Sequence, residues 1–110
     1  MVELDITSEI RGPRGAVHGG LIASLADRAG AYAVVQASQR PVVTSSVALS
    51  YLAAATVGPL RAVAATLRVG RRQAVVEVRI YDAGRENRLA ATALLTMSYL
   101  PGEAFQPTMG

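Results

Sequence analysis

Gly15-Ala16-Val17-His18-Gly19-Gly20-Leu21-Ile22-Ala23-Ser24-Leu25-Ala26-Asp27 is the stretch on which the reading of this chain turns. It is a tight glycine turn opening into a helix that is apolar except for one acid, Asp27. A helix start carries unpaired backbone N–H groups and a partial positive charge. Gly19 and Gly20 place no side chain in front of those donors, so a substrate oxygen can approach them. Asp27 follows two turns further on, about 11–12 Å along the axis. An electrophilic backbone site and a carboxylate on one rod are the parts of an acyl-transfer site.

The helix is predicted from about His18 to Ser38, because Pro41 cannot continue it. Projected at about 100° per residue, Leu21, Ile22, Leu25, Ala29, Tyr32 and Ala33 fall opposite Asp27 and are expected to pack on a sheet. Gly20, Ala23, Ser24, Gly30, Ala31 and Val34 fall on the Asp27 side. Those mostly small residues leave room for a partner subunit or a substrate. Only Asp27 and Arg28 are charged along the element, so little of it reads as solvated.

Upstream, Val2, Leu4 and Ile6 alternate with Glu3, Asp5 and Thr7, which predicts a short half-buried strand. Ser8 to Val17 holds Gly12, Pro13 and Gly15 and reads as a loop. After Pro41 the period becomes two. Val43, Ser45, Val47, Leu49 and Tyr51 are expected on one face of a strand, with Thr44, Ser46, Ala48 and Ser50 on the other. Gly58-Pro59 punctuates, and Leu60 to Val69 is a second strand. Gly70-Arg71-Arg72 is a bend, and Gln73 to Tyr81 a third strand. Asp82 to Asn87 is a hairpin loop, and Leu89 to Leu100 the last strand. Pro101 to Gly110 reads as a loose tail. One long helix followed by four strands on short turns predicts an α+β fold with an antiparallel sheet.

Composition narrows the function. The 110 residues suit one domain, spanning 1–110, and 51% hydrophobic content suffices for a core. No run of about 18 apolar residues is free of charge, so no segment is expected to cross a membrane. Met1 to Asp5 has acids and no basic region, unlike a signal peptide. The absence of cysteine excludes disulfides, thiol catalysis and cysteine-rich zinc sites, and makes a cytoplasmic location the simplest reading. All 11 basic residues are Arg. That is either a compositional bias or a use of guanidinium forks for phosphates. No basic run is interleaved with aromatics, so nucleic acid is not an expected partner.

The same residues carry a family resemblance. His18-Gly19-Gly20, six residues, then Asp27 resembles the signature of hotdog-fold acyl-CoA thioesterases of the phenylacetyl-CoA (PaaI-like) type. Thr44 to Leu52 resembles the family's strand ending in Tyr-Leu, and Gly58-Pro59-Leu60 its next turn. Arg68-Val69-Gly70-Arg71-Arg72 resembles its Gly-Arg bend, and Arg88 to Met97 its last strand. The resemblance implies a hotdog fold, an antiparallel sheet wrapped around one long central helix. It implies hydrolysis of a small or medium acyl-CoA thioester, aromatic acyl groups included, without cofactor or metal. It also implies a homodimer with a shared active site, assembling further to a homotetramer.

Roles follow from the resemblance residue by residue. Gly19 is the oxyanion donor through its backbone N–H, and Thr44 assists the water or the acid. His18 shapes the turn, with a catalytic part as the alternative. Arg68, Gly70, Arg71 and Arg72 meet coenzyme A phosphates, or else form a solvated turn. Asp27 acts as general base toward water or attacks the thioester itself; a structural ion pair is the bland alternative. His18 is the only histidine, so a metal site is not expected, and no nucleophile-elbow pattern supports a Ser-His-Asp triad. One position departs from the pattern. Relatives often carry Asn or Gln six residues before the His, where this chain has Gly12. The rival reading is therefore a protein of the same fold that binds acyl-CoA without turning it over. A hydratase is disfavoured because its paired Asp and His spacing is absent.

Overall fold

The computed structural model describes residues 2–4 and 17–101. The predicted loop with Gly12, the strand beyond Leu4 and the tail past Pro101 lie outside the described residues. The elements run β1 (Val2–Leu4), α1 (Gly19–Ser38), β2 (Val42–Tyr51), β3 (Leu60–Val69), β4 (Gln73–Asp82), a short 3-10 turn (Ala83–Arg85) and β5 (Arg88–Tyr99). They form one antiparallel sheet in the order β1-β3-β4-β5-β2, with α1 laid across one face.

Local chemistry explains the boundaries. His18 precedes the helix in an extended conformation, and its carbonyl accepts from Leu21 N–H at 3.0 Å and Ile22 N–H at 3.3 Å. At the other end Gln39 turns into the left-handed region and donates to Val35 O at 2.8 Å. Pro41 then starts the extended run, as its missing N–H requires.

Inner residues of the central strands are fully buried: Val76, Val78 and Ile80 on β4, Ala91, Leu95 and Met97 on β5. Against them lie Ile22, Leu25, Ala26, Ala29, Gly30 and Val34 of α1. Burying each larger aliphatic side chain contributes about 1.5–3 kcal/mol. The helix orientation agrees with the projection from sequence at Ile22, Leu25 and Ala29, which are buried, and at Leu21 and Ala33, which pack against the core, and corrects it at three positions. Gly30 and Val34 face the sheet, whereas Tyr32 is 57% exposed and its hydroxyl accepts from Gln36 Nε2 at 2.9 Å. The reason is close approach. A Cβ on Gly30 would stand 3.2 Å from both Met97 Cε and Val76 Cγ1. The small residues Ala26, Ala29 and Gly30 therefore let the rod sink onto the sheet, and Asp27 comes to flank that contact, facing β2.

A second correction concerns β2. Its register on β5 shifts between Thr44 and Ser46, leaving Ser45 as the extra residue of a β-bulge. The bulge changes the parity of the strand. Thr44 and Tyr51 are seven positions apart, yet both reach the helix side, as their bonds to α1 demonstrate. Ser45 instead meets the Ser98 hydroxyl.

Asp82 is a third correction. Placed in a loop by the sequence reading, it is the buried last residue of β4. Its carboxylate accepts three backbone N–H groups: Thr56 at 2.9 Å, Val57 at 3.1 Å and Gly58 at 2.7 Å. Burial alone would push its pKa up, but those donors and nearby Arg85 outweigh burial and hold the carboxyl below its ordinary value. It pins the segment between β2 and β3.

Candidate active site

The helix start and the segment after β2 border an open pocket of about 420 Å³ lined by Val17, Gly19, Ile22 and residues 51–55. Val17 is fastened there by its N–H to Ala55 O at 2.9 Å, and Arg88 Nη2 donates to Ala54 O at 2.8 Å. The lining is mostly aliphatic, so the pocket suits an apolar group beside the polar N–H donors of the helix start. Tyr51 closes one side. Its hydroxyl donates to Gly19 O at 2.7 Å, and a Cβ on Gly19 would lie 2.9 Å from that hydroxyl oxygen. Glycine at this position thus has a steric cause beyond substrate access. Around Gly20, by contrast, a Cβ would meet nothing within 4 Å. The His18 side chain is exposed and makes no capping bond, so its contribution to the turn comes through its backbone.

Asp27 and Thr44 form the second cluster. The Thr44 hydroxyl donates to Asp27 Oδ1. The acid is half-buried, and the other carboxylate oxygen has no partner among the described residues. A water held against that oxygen would be within proton-transfer reach.

The arginines form the third. The β3–β4 hairpin closes with Gly70 N–H on Gln73 O at 2.9 Å, and Arg68, Gly70, Arg71, Arg72, Gln73 and Val75 line a pocket of about 280 Å³. None of the three guanidinium groups pairs with a carboxylate among the described residues. The hairpin is level with Asp27 and Thr44: Thr44 pairs with Met97, Met97 with Ala74 and Ala74 with Val69, one rung across the sheet. Among the described residues, no group of three His, Cys, Asp or Glu side chains is placed to hold a metal ion, and no helix is long and apolar enough to cross a membrane.

One chain does not bring the clusters together. Gly19 and Asp27 are eight residues apart on one helix, about 12 Å. Tyr51 and Thr44 are separated by about 20 Å of strand. The sequence reading names Gly19, Asp27, Thr44 and the arginines as site residues and does not name Tyr51 and the segment after it, which line the pocket beside Gly19. The only signal for them was the Tyr51-Leu52 ending of the strand.

A long helix wrapped by an antiparallel sheet, opened by a double glycine and carrying one acid two turns along, defines a hotdog-fold domain. Comparison with known proteins agrees. The profile of the thioesterase superfamily matches residues 14–88. The chain belongs to that superfamily. Among solved structures, it resembles the BH2602 protein of Bacillus halodurans, determined with CoA: 29% identity over 90% of this chain and 70% of that one, TM-score 0.81. A Haemophilus influenzae thioesterase matches at 25% identity, over 89% of this chain and 68% of the other, with TM-score 0.81. The PaaI protein of the E. coli phenylacetic acid degradation operon shares the fold at TM-score 0.83, with 24% identity over 91% of this chain and 71% of PaaI. No curated protein sequence matches.

Proposed function

We propose that the chain hydrolyses small or medium acyl-CoA thioesters, aromatic ones included, in a site shared by two copies. The observation that carries this reading is the Asp27–Thr44 pair standing one helix segment away from the Gly19 start. Reacting atoms must come within about 3–3.5 Å, so neither cluster suffices alone. A two-fold axis pairs the helix start of one copy with Asp27 of the partner subunit and creates two equivalent sites. Two features support such pairing. β2 is an edge strand of 10 residues without a charge or proline, with Val43, Val47 and Tyr51 exposed. The Asp27 side of α1 also keeps Gly20, Ala23, Ser24 and Ala31 at least partly exposed.

In this mechanism the Asp27 carboxylate, oriented by the Thr44 hydroxyl, takes a proton from water as the water oxygen bonds to the thioester carbon. The carbonyl oxygen gains the negative charge, which the helix-start N–H groups stabilise. The tetrahedral species collapses, the C–S bond breaks, and the thiolate receives the proton from Asp27. The acyl group occupies the pocket beside Gly19. Coenzyme A phosphates meet Arg68, Arg71 and Arg72 at the β3–β4 hairpin; a CoA ligand is in keeping with the Bacillus halodurans relative, which was determined with CoA. The test is thiol release and binding measured side by side on acyl-CoAs from acetyl to phenylacetyl. Turnover lost in Asp27→Ala supports hydrolysis. Tight binding without release instead supports the non-catalytic acyl-CoA-binding alternative, which Gly12 motivates.

A further inference from the structure

Tyr51 lines the acyl pocket but takes no part in the chemical steps proposed above, yet it is bonded to the helix start itself. Its hydroxyl donates to Gly19 O at 2.7 Å. As the first helical residue, Gly19 also offers that carbonyl to the N–H four residues on, Ala23. A carbonyl holding two donors polarises its peptide, because chained hydrogen bonds strengthen one another. The N–H of the same peptide belongs to Gly20. It lies in the first turn, where no intrahelical acceptor exists, and a Cβ built on Gly20 would meet nothing within 4 Å.

Sterics make the arrangement specific. Where a Gly19 Cβ would sit, Tyr51 Oη is 2.9 Å away and Tyr51 Cζ 3.0 Å, so only glycine lets the ring come this close. The ring reaches this side of β2 because Leu49 and Tyr51 follow the Ser45 bulge on the inner parity. It also borders the pocket that Gly19 lines.

We propose that Tyr51 is a positioning residue for the hydrolysis. Through the Gly19 carbonyl it fixes and polarises the Gly19–Gly20 peptide, so the Gly20 N–H joins that of Gly19 as a donor to the developing oxyanion. The inference rests on the thioesterase reading above. It assigns Tyr51 to the transition state and not to ground-state binding, and that is what the experiment separates.

Tyr51→Phe keeps the ring and removes the donor. On the acyl-CoA that the parent turns over fastest, kcat should fall about tenfold, less than the ~10²–10³-fold loss of an oxyanion donor itself. KM should hold, as should inhibition by the matching thioether, in which a methylene replaces the carbonyl and no oxyanion forms. An unchanged kcat overturns the inference. So does a rise in KM and in the thioether inhibition constant together with a drop in Tm, which marks a merely structural clamp. A parent protein releasing no thiol from any acyl-CoA removes the hydrolytic reading and this inference together, whereas parental turnover with an unaffected Tyr51→Phe variant removes only the inference.

Discussion

The Thr44 hydroxyl donates to the Asp27 carboxylate across the gap between β2 and α1. This contact joins two residues 17 positions apart in sequence, one on a helix and one on a strand. It exists because the bulge at Ser45 leaves Thr44 on the inner side together with Tyr51. Two polar side chains thus face the helix from one strand, one at each half of the proposed site.

Asp27→Asn is expected to lower kcat by about 10²–10⁴, the usual contribution of a positioned proton acceptor. Thr44→Val should lower it less, because the carboxylate remains and only its orientation is lost. Neither change should shift Tm appreciably, since Thr44 is exposed and Asp27 half-buried. Steady-state kinetics with thermal melts on the same preparations check both. Wild-type kcat/KM in Asp27→Asn would rule out Asp27 as the base.

The double change Arg71→Ala, Arg72→Ala should raise KM for acyl-CoA and leave kcat nearly unchanged, because the phosphates are remote from the reacting carbon. On a truncated thioester that lacks the phosphates, variant and parent should behave alike. An unaltered KM for acyl-CoA would remove the hairpin from the binding site.

A shared site makes two inactive variants complementary. Asp27→Ala and Gly19→Val, the latter pushing against the Tyr51 ring, are each expected to be inactive alone. Refolded together, mixed dimers should regain activity, since one of their two sites carries neither change. Sedimentation of the mixture reports whether dimers form. Mixed dimers without activity, or an active monomer, would refute the arrangement.

Asp82 predicts an acid limit. Its carboxyl is held below the ordinary value of 3.8, so the charged form favours folding. For a lowered folded-state pKa, the contribution is fully present above the unfolded value of 3.8 and is lost as pH falls through the folded value beneath it. Asp82→Asn should cost about 1–3 kcal/mol near neutrality, because one amide N–H must then face a backbone donor. Urea unfolding of both proteins across the acid range should show the gap closing only below that value. A gap independent of pH would contradict the role of the charge.

The order and extent of the elements were legible in the sequence, because their signals are local. The change of period at Pro41, the turn at Gly58-Pro59, the Gly70 bend and the alternation of Val76, Val78 and Ile80 each act over a few residues. The double glycine and Asp27 were legible for the same reason, since helix rise alone sets their spacing. The side of α1 that meets the sheet was legible in part: Ile22, Leu25 and Ala29 are buried as projected, whereas Gly30 and Val34 replace Tyr32. Burial there follows closeness of approach, which Gly30 permits by its small size, and an apolar projection weighs Tyr32 above Gly30. The parity of β2 depends on a bulge, which exists only once Thr44 and Ser46 have met Met97 and Thr96 on a strand some fifty residues away. The bonds from Tyr51 to Gly19 and from Asp82 to Thr56, Val57 and Gly58 likewise join positions that only the folded chain makes neighbours. Local periodicity decides what each segment becomes. Which polar atoms then meet depends on packing distances between segments, and those belong to the tertiary structure.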